Sequence, residues 1–154
     1  MEFIIGNKKF ESNKVKLITI DGKATLMGLA SGIGRFWVTV KGDDGAEYNF
    51  DSDCYLEKAT QKIASIYDKL KAQNMNNFLR VNNKFIINLD KIAGYDWQYN
   101  LKGYQYIWAK FKDGSEYALY HGLDEECAKG LYNALSEVQR VYAADKKTEK
   151  LVSQ

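Results

Sequence analysis

Proline is absent from this chain of 154 residues, where average usage of about 5% would place seven or eight. Cysteine occurs twice and histidine once, too few for a disulfide scaffold or a His/Cys metal cluster. No apolar run approaches the roughly 18–20 residues of a membrane span. The first residues, Met1-Glu2-Phe3-Ile4-Ile5, show neither a basic region nor a cleavage site for export. A strong charge of either sign is missing too: 22 basic against 20 acidic residues leave +2, too little to announce a nucleic-acid binder by itself. With few cysteines and no export signal, the expected setting is a reducing cytoplasm, without a membrane.

Hydrophobic residues supply 45% and charged residues 27%, which excludes wholesale disorder. Tyrosine (11), asparagine (11) and lysine (19, against 3 arginines) are abundant. That bias is what A/T-rich coding gives, and it fits a bacterial, archaeal or phage source.

The chain resembles itself. Residues 3–18 align with 78–93, and six of the sixteen pairs are identical: Phe3/Phe78, Asn7/Asn82, Lys9/Lys84, Phe10/Phe85, Asn13/Asn88 and Lys16/Lys91. Chance gives about one. Trp37 and Lys41 then match Trp108 and Lys112, and Gly45-Ala46-Glu47-Tyr48 matches Gly114-Ser115-Glu116-Tyr117. The offset drifts from 75 to 71 to 69, as it does when insertions fall in loops. The expected fold is therefore α+β: two tandem repeats, each an antiparallel β-meander followed by one helix. Repeat 1 spans 1–72 and repeat 2 spans 78–142. They are expected to pack as one domain or within a homodimer, because a repeat of about 70 residues hardly buries a sheet face and a helix alone. Residues 143–154 read as a charged tail, frayed helix or loose chain.

In repeat 1 the expected strands are 2–5 with 8–11, then 14–20, 23–29, 34–41 and 46–50, with Asp21-Gly22 as a hairpin turn. A helix over 54–71, capped by Ser52 or Asp53, buries Leu56, Ala59, Ile63, Ile66, Tyr67 and Leu70. Repeat 2 has strands near 77–82, 84–89, 91–97, 103–112 and 115–120. Its helix, 124–142, opens at Asp124 and buries Cys127, Leu131, Leu135, Val138 and Tyr142.

Catalytic chemistry finds no constellation, and a non-enzymatic protein without cofactor or metal is expected. His121 reads as a surface turn residue and Cys127 as a buried, inert thiol; the acidic pairs Asp43-Asp44 and Glu125-Glu126 suit a turn and a first helical turn. Gly28-Leu29-Ala30-Ser31-Gly32-Ile33-Gly34 leads into a strand, so it reads as a hairpin loop, not a phosphate loop.

Strand alternation is more informative. It puts Phe36, Val38 and Val40 on one face and Arg35, Trp37, Thr39 and Lys41 on the other. In repeat 2 it puts Gln105, Ile107, Ala109 and Phe111 opposite Tyr104, Tyr106, Trp108, Lys110 and Lys112, with Trp97 and Tyr99 as possible extensions. Aromatics mixed with cations at the same place in both repeats are what single-stranded DNA or RNA binds on, bases against rings and phosphates against cations. The candidate nucleic-acid contacts are Arg35, Trp37, Lys41, Tyr104, Tyr106, Trp108, Lys110 and Lys112. Glu47 and Glu116 share this face and oppose phosphate. The alternative is that the same face docks the other repeat, a second copy, or a protein partner as a small interaction or inhibitor protein.

Strands closed by a helix, twice over, resemble the PUR and Whirly types of single-strand nucleic-acid-binding protein. The residues behind this are Asn7-Lys8-Lys9-Phe10 and Gly34-Arg35-Phe36 in repeat 1 and Asn82-Asn83-Lys84-Phe85 in repeat 2, where Tyr104-Gln105-Tyr106 replaces Gly-Arg-Phe. The resemblance implies a curved antiparallel sheet backed by helices, with DNA or RNA across its open face. A narrower likeness, to LytTR-type DNA-binding domains, covers 78–120 through Phe78-Leu79-Arg80-Val81 and Asn88-Leu89-Asp90-Lys91-Ile92, followed by Asp113-Gly114. Asn82-Asn83-Lys84 replaces that family's His-Arg-Ser, which sets this likeness aside.

Overall fold

The computed structural model describes residues 1–24 and 34–153. It is an α+β protein whose strands pair antiparallel throughout and whose last element is a helix. The chain divides into two compact units, Met1–Asp90 and Lys91–Gln154. The division falls after the hairpin at 78–88, not in the polar linker 73–77.

The first unit contains β1 (Glu2–Ile5) and β2 (Lys8–Glu11), β3 (Val15–Ala24), β4 (Gly34–Gly42), β5 (Glu47–Cys54), α1 (Leu56–Ala72), β6 (Phe78–Val81) and β7 (Phe85–Asn88). β1 and β2 form their own two-stranded sheet, turned by Gly6 at φ +59°. The other five strands run in the order β5-β4-β3-β7-β6. Directly opposed residues share a face, so the register places Ile18, Val38, Val40 and Ile86 together beneath α1. Ala59, Ile63, Ile66 and Leu70 of α1 are buried against that face, and Phe3, Phe78 and Met75 complete the core. Leu17, Thr19, Thr39 and Ile87, on the opposite face, are also buried.

Asn88 closes this unit. It is fully buried, and its side-chain amide donates to the carbonyls of Ser12 (3.1 Å) and Val15 (2.7 Å). Its carbonyl accepts from Asn77 Nδ2 (3.1 Å) and the Asp90 amide (3.0 Å).

Two local expectations are corrected here, and a third lies largely beyond the described residues. The Asp21-Gly22 pair is not a turn: β3 runs through it, with Asp21 opposite Trp37 and Gly22 opposite Phe36. Glycine stands there for space, since a Cβ would lie 2.5 Å from Phe36 Cδ1. The expected strand 23–29 and the glycine-rich loop of 28–34 fall largely outside the described residues. Ser52 and Asp53 do not cap α1, because β5 continues to Cys54 in pairing with β4; Tyr55 is the N-cap residue and makes no side-chain cap bond. The helix ends where Asn74 turns left-handed (φ +60°) and Met75 N–H reaches back to the Leu70 carbonyl.

The second unit holds β8 (Ile92–Tyr99), β9 (Gln105–Phe111), β10 (Glu116–Gly122) and α2 (Glu125–Ser153), with strand order β10-β9-β8. Asp124 Oδ1 accepts the Cys127 amide at 3.1 Å, an N-cap where the sequence places one. The helix does not stop near 142: the residues read as a charged tail continue it to Ser153. Its buried stripe also sits about one position round from the expected one. Ala128 and Leu135 are buried and Leu131, Tyr132 and Tyr142 half-buried, while Cys127 and Val138 are exposed.

Apart from a 3₁₀ turn at Asp43–Gly45 between β4 and β5, the order of elements occurs twice. A hairpin (β1–β2, then β6–β7), a single 3₁₀ turn (Ser12–Lys14, then Leu89–Lys91), three antiparallel strands and a helix follow one another in each half. The register shift between β3 and β4 lies at Val15/Leu17, and that between β8 and β9 at Ile92/Gly94. Both come at the entry to the first long strand. Among the described residues no helix is long and apolar enough to cross a membrane.

Candidate functional site

In the second unit, two contacts fix which face of the sheet α2 covers. The Tyr95 hydroxyl is 3.2 Å from Gln139 Oε1, and the Trp97 ring lies 6.0 Å from that of Tyr132. Tyr95 and Trp97 oppose Ala109 and Ile107, so those four share the α2 face. Burial accordingly pushes the Tyr95 phenol well above its ordinary range. Trp97 donates its indole N–H to Gln105 Oε1 at 2.7 Å. Trp97 and Tyr99 therefore do not extend the outer aromatic surface. Both lie on the covered side, Tyr99 at its exposed end opposite Gln105.

The other face carries Tyr106, Trp108 and Lys110, by parity along β9, with Gln98 and Asp96 opposite Tyr106 and Trp108 on β8. On β10, His121 opposes Tyr106 and Ala118 opposes Trp108, the strand having absorbed Leu119 at a register shift. The rings form one row. Tyr104 and His121 are 5.1 Å apart, His121 and Tyr106 are 4.6 Å apart and within 8° of parallel, and Tyr106 and Trp108 are 6.2 Å apart at 15°. The three expected aromatics of this unit are thus brought together, and His121 joins them. It is an exposed strand residue, not a turn residue.

Tyr104, just before β9, is held by its amide bond to Asn100 Oδ1 (3.1 Å). The Trp108 indole N–H is shielded and has no acceptor, an arrangement that costs about 1–3 kcal/mol. Of the cations, Lys110 stands 3.8 Å from Asp96 and opposite Glu116. Lys112 follows β9, exposed, with its amide bonded to the Lys91 carbonyl at 2.9 Å.

Arg35, Trp37 and Lys41 share one face of β4 in the first unit, the face away from α1. Arg35 is exposed, Trp37 is half-buried, and Lys41 is paired with Glu47 at 3.3 Å. Between them Thr39 is fully buried, its hydroxyl 2.8 Å from both Asp21 Oδ2 and Asn49 Oδ1. A hydroxyl has one proton to give, and here it faces two acceptor oxygens, Asp21 Oδ2 and Asn49 Oδ1. The trio is an interrupted patch, whereas the row on β9 and β10 is continuous.

Cys127 is exposed, not buried in the helix stripe. Asp124 raises its thiol pKa, through their hydrogen bond and then through charge, and its own pKa is lowered by the Cys127 amide. The helix N-terminus would favour a thiolate; the cap carboxylate opposes it. Among the described residues no group of three or more His, Cys, Asp or Glu is placed to hold a metal ion.

Set against protein-family models, curated proteins and solved structures, the chain matches none of them.

Proposed function

We propose that this protein binds single-stranded DNA or RNA, without catalysis, on the sheet face of the second unit that α2 leaves uncovered. The continuous row Tyr104–His121–Tyr106–Trp108 is the observation that carries this reading. Bases stack on such rings at about 1–3 kcal/mol each, whatever their identity. Lys110 and Lys112 flank the row and take the phosphates. Arg35, Trp37 and Lys41 give the first unit a smaller surface of the same composition.

That composition has one origin under a second part of the proposal, that the two halves are copies of one ancestral repeat. The six identities, the repeated order of elements and the matching register shifts support it. The pairings Lys41–Glu47 and Lys110–Glu116 make those lysines counterparts. Four residues upstream, Trp37 then corresponds to Tyr106 rather than to Trp108. A reducing cytoplasm suits an exposed, unpaired thiol such as Cys127.

A second reading, a protein partner on the same face, is favoured by the ion pairs. Lys110 has Asp96 and Lys41 has Glu47, which lowers the positive potential a phosphate meets. Fluorescence anisotropy of labelled single-stranded DNA, single-stranded RNA and duplex DNA separates the two. Single-strand binding that quenches tryptophan and weakens steeply from low to physiological salt supports the proposal. Absence of binding at low salt overturns it and leaves the face to a protein.

A further inference from the structure

A second feature lies in the first unit and owes nothing to the aromatic row. Between β2 and the β4–β5 end of the sheet is a cavity of about 390 Å³, within the size range of small-molecule sites. Its floor is Val15 and Val40, both buried. Two rings wall it: Phe10, and Tyr48, which is 41% exposed; their centroids are 6.1 Å apart, edge to face.

The charges around the cavity do not cancel. Glu47 is held by Lys41 at 3.3 Å, and Lys9 by Glu2 at 3.4 Å. Glu11 also lines the cavity, facing Glu2 across the hairpin, so three carboxylates stand against four lysines here. Two lysines remain outside these ion pairs. Lys8, exposed, lies with Nζ 4.8 Å over the Tyr48 ring. Lys14 lines the cavity without a carboxylate partner among the described residues. An apolar floor, aromatic walls and two exposed cations at the rim suit a ligand with a flat apolar body and one carboxylate. We infer that this cavity is a binding site for a small aromatic carboxylate, its rings against Phe10, Tyr48 and Val40 and its carboxylate between Lys8 and Lys14.

The test is an amide NMR titration of the full chain with 2-naphthoate, using 2-naphthamide as the neutral control. Expected are saturable shifts centred on Gly42, Ala46 and Tyr48, with naphthoate at least tenfold tighter than naphthamide. The double variant Lys8→Gln/Lys14→Gln should lose about tenfold in naphthoate affinity and leave naphthamide unchanged. Ala46 is exposed at the cavity rim, so Ala46→Trp fills the mouth without disturbing the core and should abolish both titrations. Equal affinity for acid and amide overturns the inference, as does naphthoate binding that survives Ala46→Trp. So does the absence of saturable shifts up to 10 mM ligand, a concentration on the order of a 3 kcal/mol interaction.

Discussion

Replacing Asn88 by Asp is the most discriminating test of how the first unit is held together. The two side chains have the same shape, but a carboxylate has no proton to donate. In the wild type the amide gives two hydrogen bonds, to the carbonyls of Ser12 and Val15, and takes two, from Asn77 and the Asp90 amide. The substitution keeps the second pair and turns the first into oxygen facing oxygen in a fully buried site. The Val15 carbonyl loses its side-chain donor, while the Ser12 carbonyl keeps the Val15 N–H. With about 1–3 kcal/mol for a buried acceptor left unsatisfied and a carboxylate set against both carbonyls, the cost comes to about 2–4 kcal/mol at pH 7. The sign of the pH dependence follows. Burial and the facing carbonyls favour the neutral acid, raising the folded pKa above an unfolded value of about 3.9. The neutral acid therefore supports the fold below that unfolded value, and its support is lost as pH rises through the folded one. One proton restores one of the two donated bonds, so about half of the loss should return at pH 4. Urea unfolding followed by circular dichroism, variant against wild type at pH 7 and pH 4, measures both. A loss below about 1 kcal/mol at pH 7, or a larger loss at pH 4 than at pH 7, would refute the role given to Asn88.

Gly22→Ala drives a Cβ to within 2.5 Å of Phe36 Cδ1 and 3.0 Å of the Arg35 carbonyl. It should cost about 1–3 kcal/mol in thermal unfolding, as overpacking does, and an unchanged midpoint would contradict that contact. Trp108→Ala should weaken single-strand binding several-fold and leave the circular dichroism spectrum intact; a variant that unfolds makes the ring core rather than platform. Trp108→Phe keeps a ring while removing the unsatisfied N–H, and should gain on the order of 1 kcal/mol in stability. Asp124→Asn removes the charge that raises the Cys127 thiol pKa, so the pH midpoint for alkylation by iodoacetamide should fall, and an unmoved midpoint argues against that coupling.

What the sequence reveals follows from how local each signal is. Gly6, Asp43-Asp44-Gly45, Asn82-Asn83 and Asp113-Gly114 mark turns through backbone angles that few residues adopt, and each stands at a strand end. The stripe on α1 is legible for the same reason, because its 3.6-residue period needs no knowledge of the partner. Asp21-Gly22 misleads because the dipeptide permits a turn without requiring one. What glycine supplies there is room for the Phe36 ring across the ladder, a fact of pairing and not of the local chain. Nor does anything in residues 143–153 end a helix: the segment has neither glycine nor proline, and Lys146 and Glu149 pair along it at 3.8 Å.

The site divides along the same line. Parity within β9 correctly puts Tyr106 and Trp108 opposite Ile107 and Ala109, because no register shift interrupts that strand's own alternation. Parity cannot be carried between strands, since one absorbed residue reverses every side chain after it. The shift at Ala118/Tyr120 brings His121 into line with Tyr106, although His121 lies an odd number of residues from Ala118 on the same face. Trp97 goes the other way. Composition alone groups it with the other aromatics, but its place opposite Ile107 puts it under α2. The pairing of β7 with β3, across some seventy residues, is set by neither composition nor period. Ile86 and Ile87 are buried on opposite faces of one strand, so the run Phe85-Ile86-Ile87 alternates with nothing and shows only that the strand is covered on both sides. The expected row needed one further fact to be complete: which residue of β10 the fold skips.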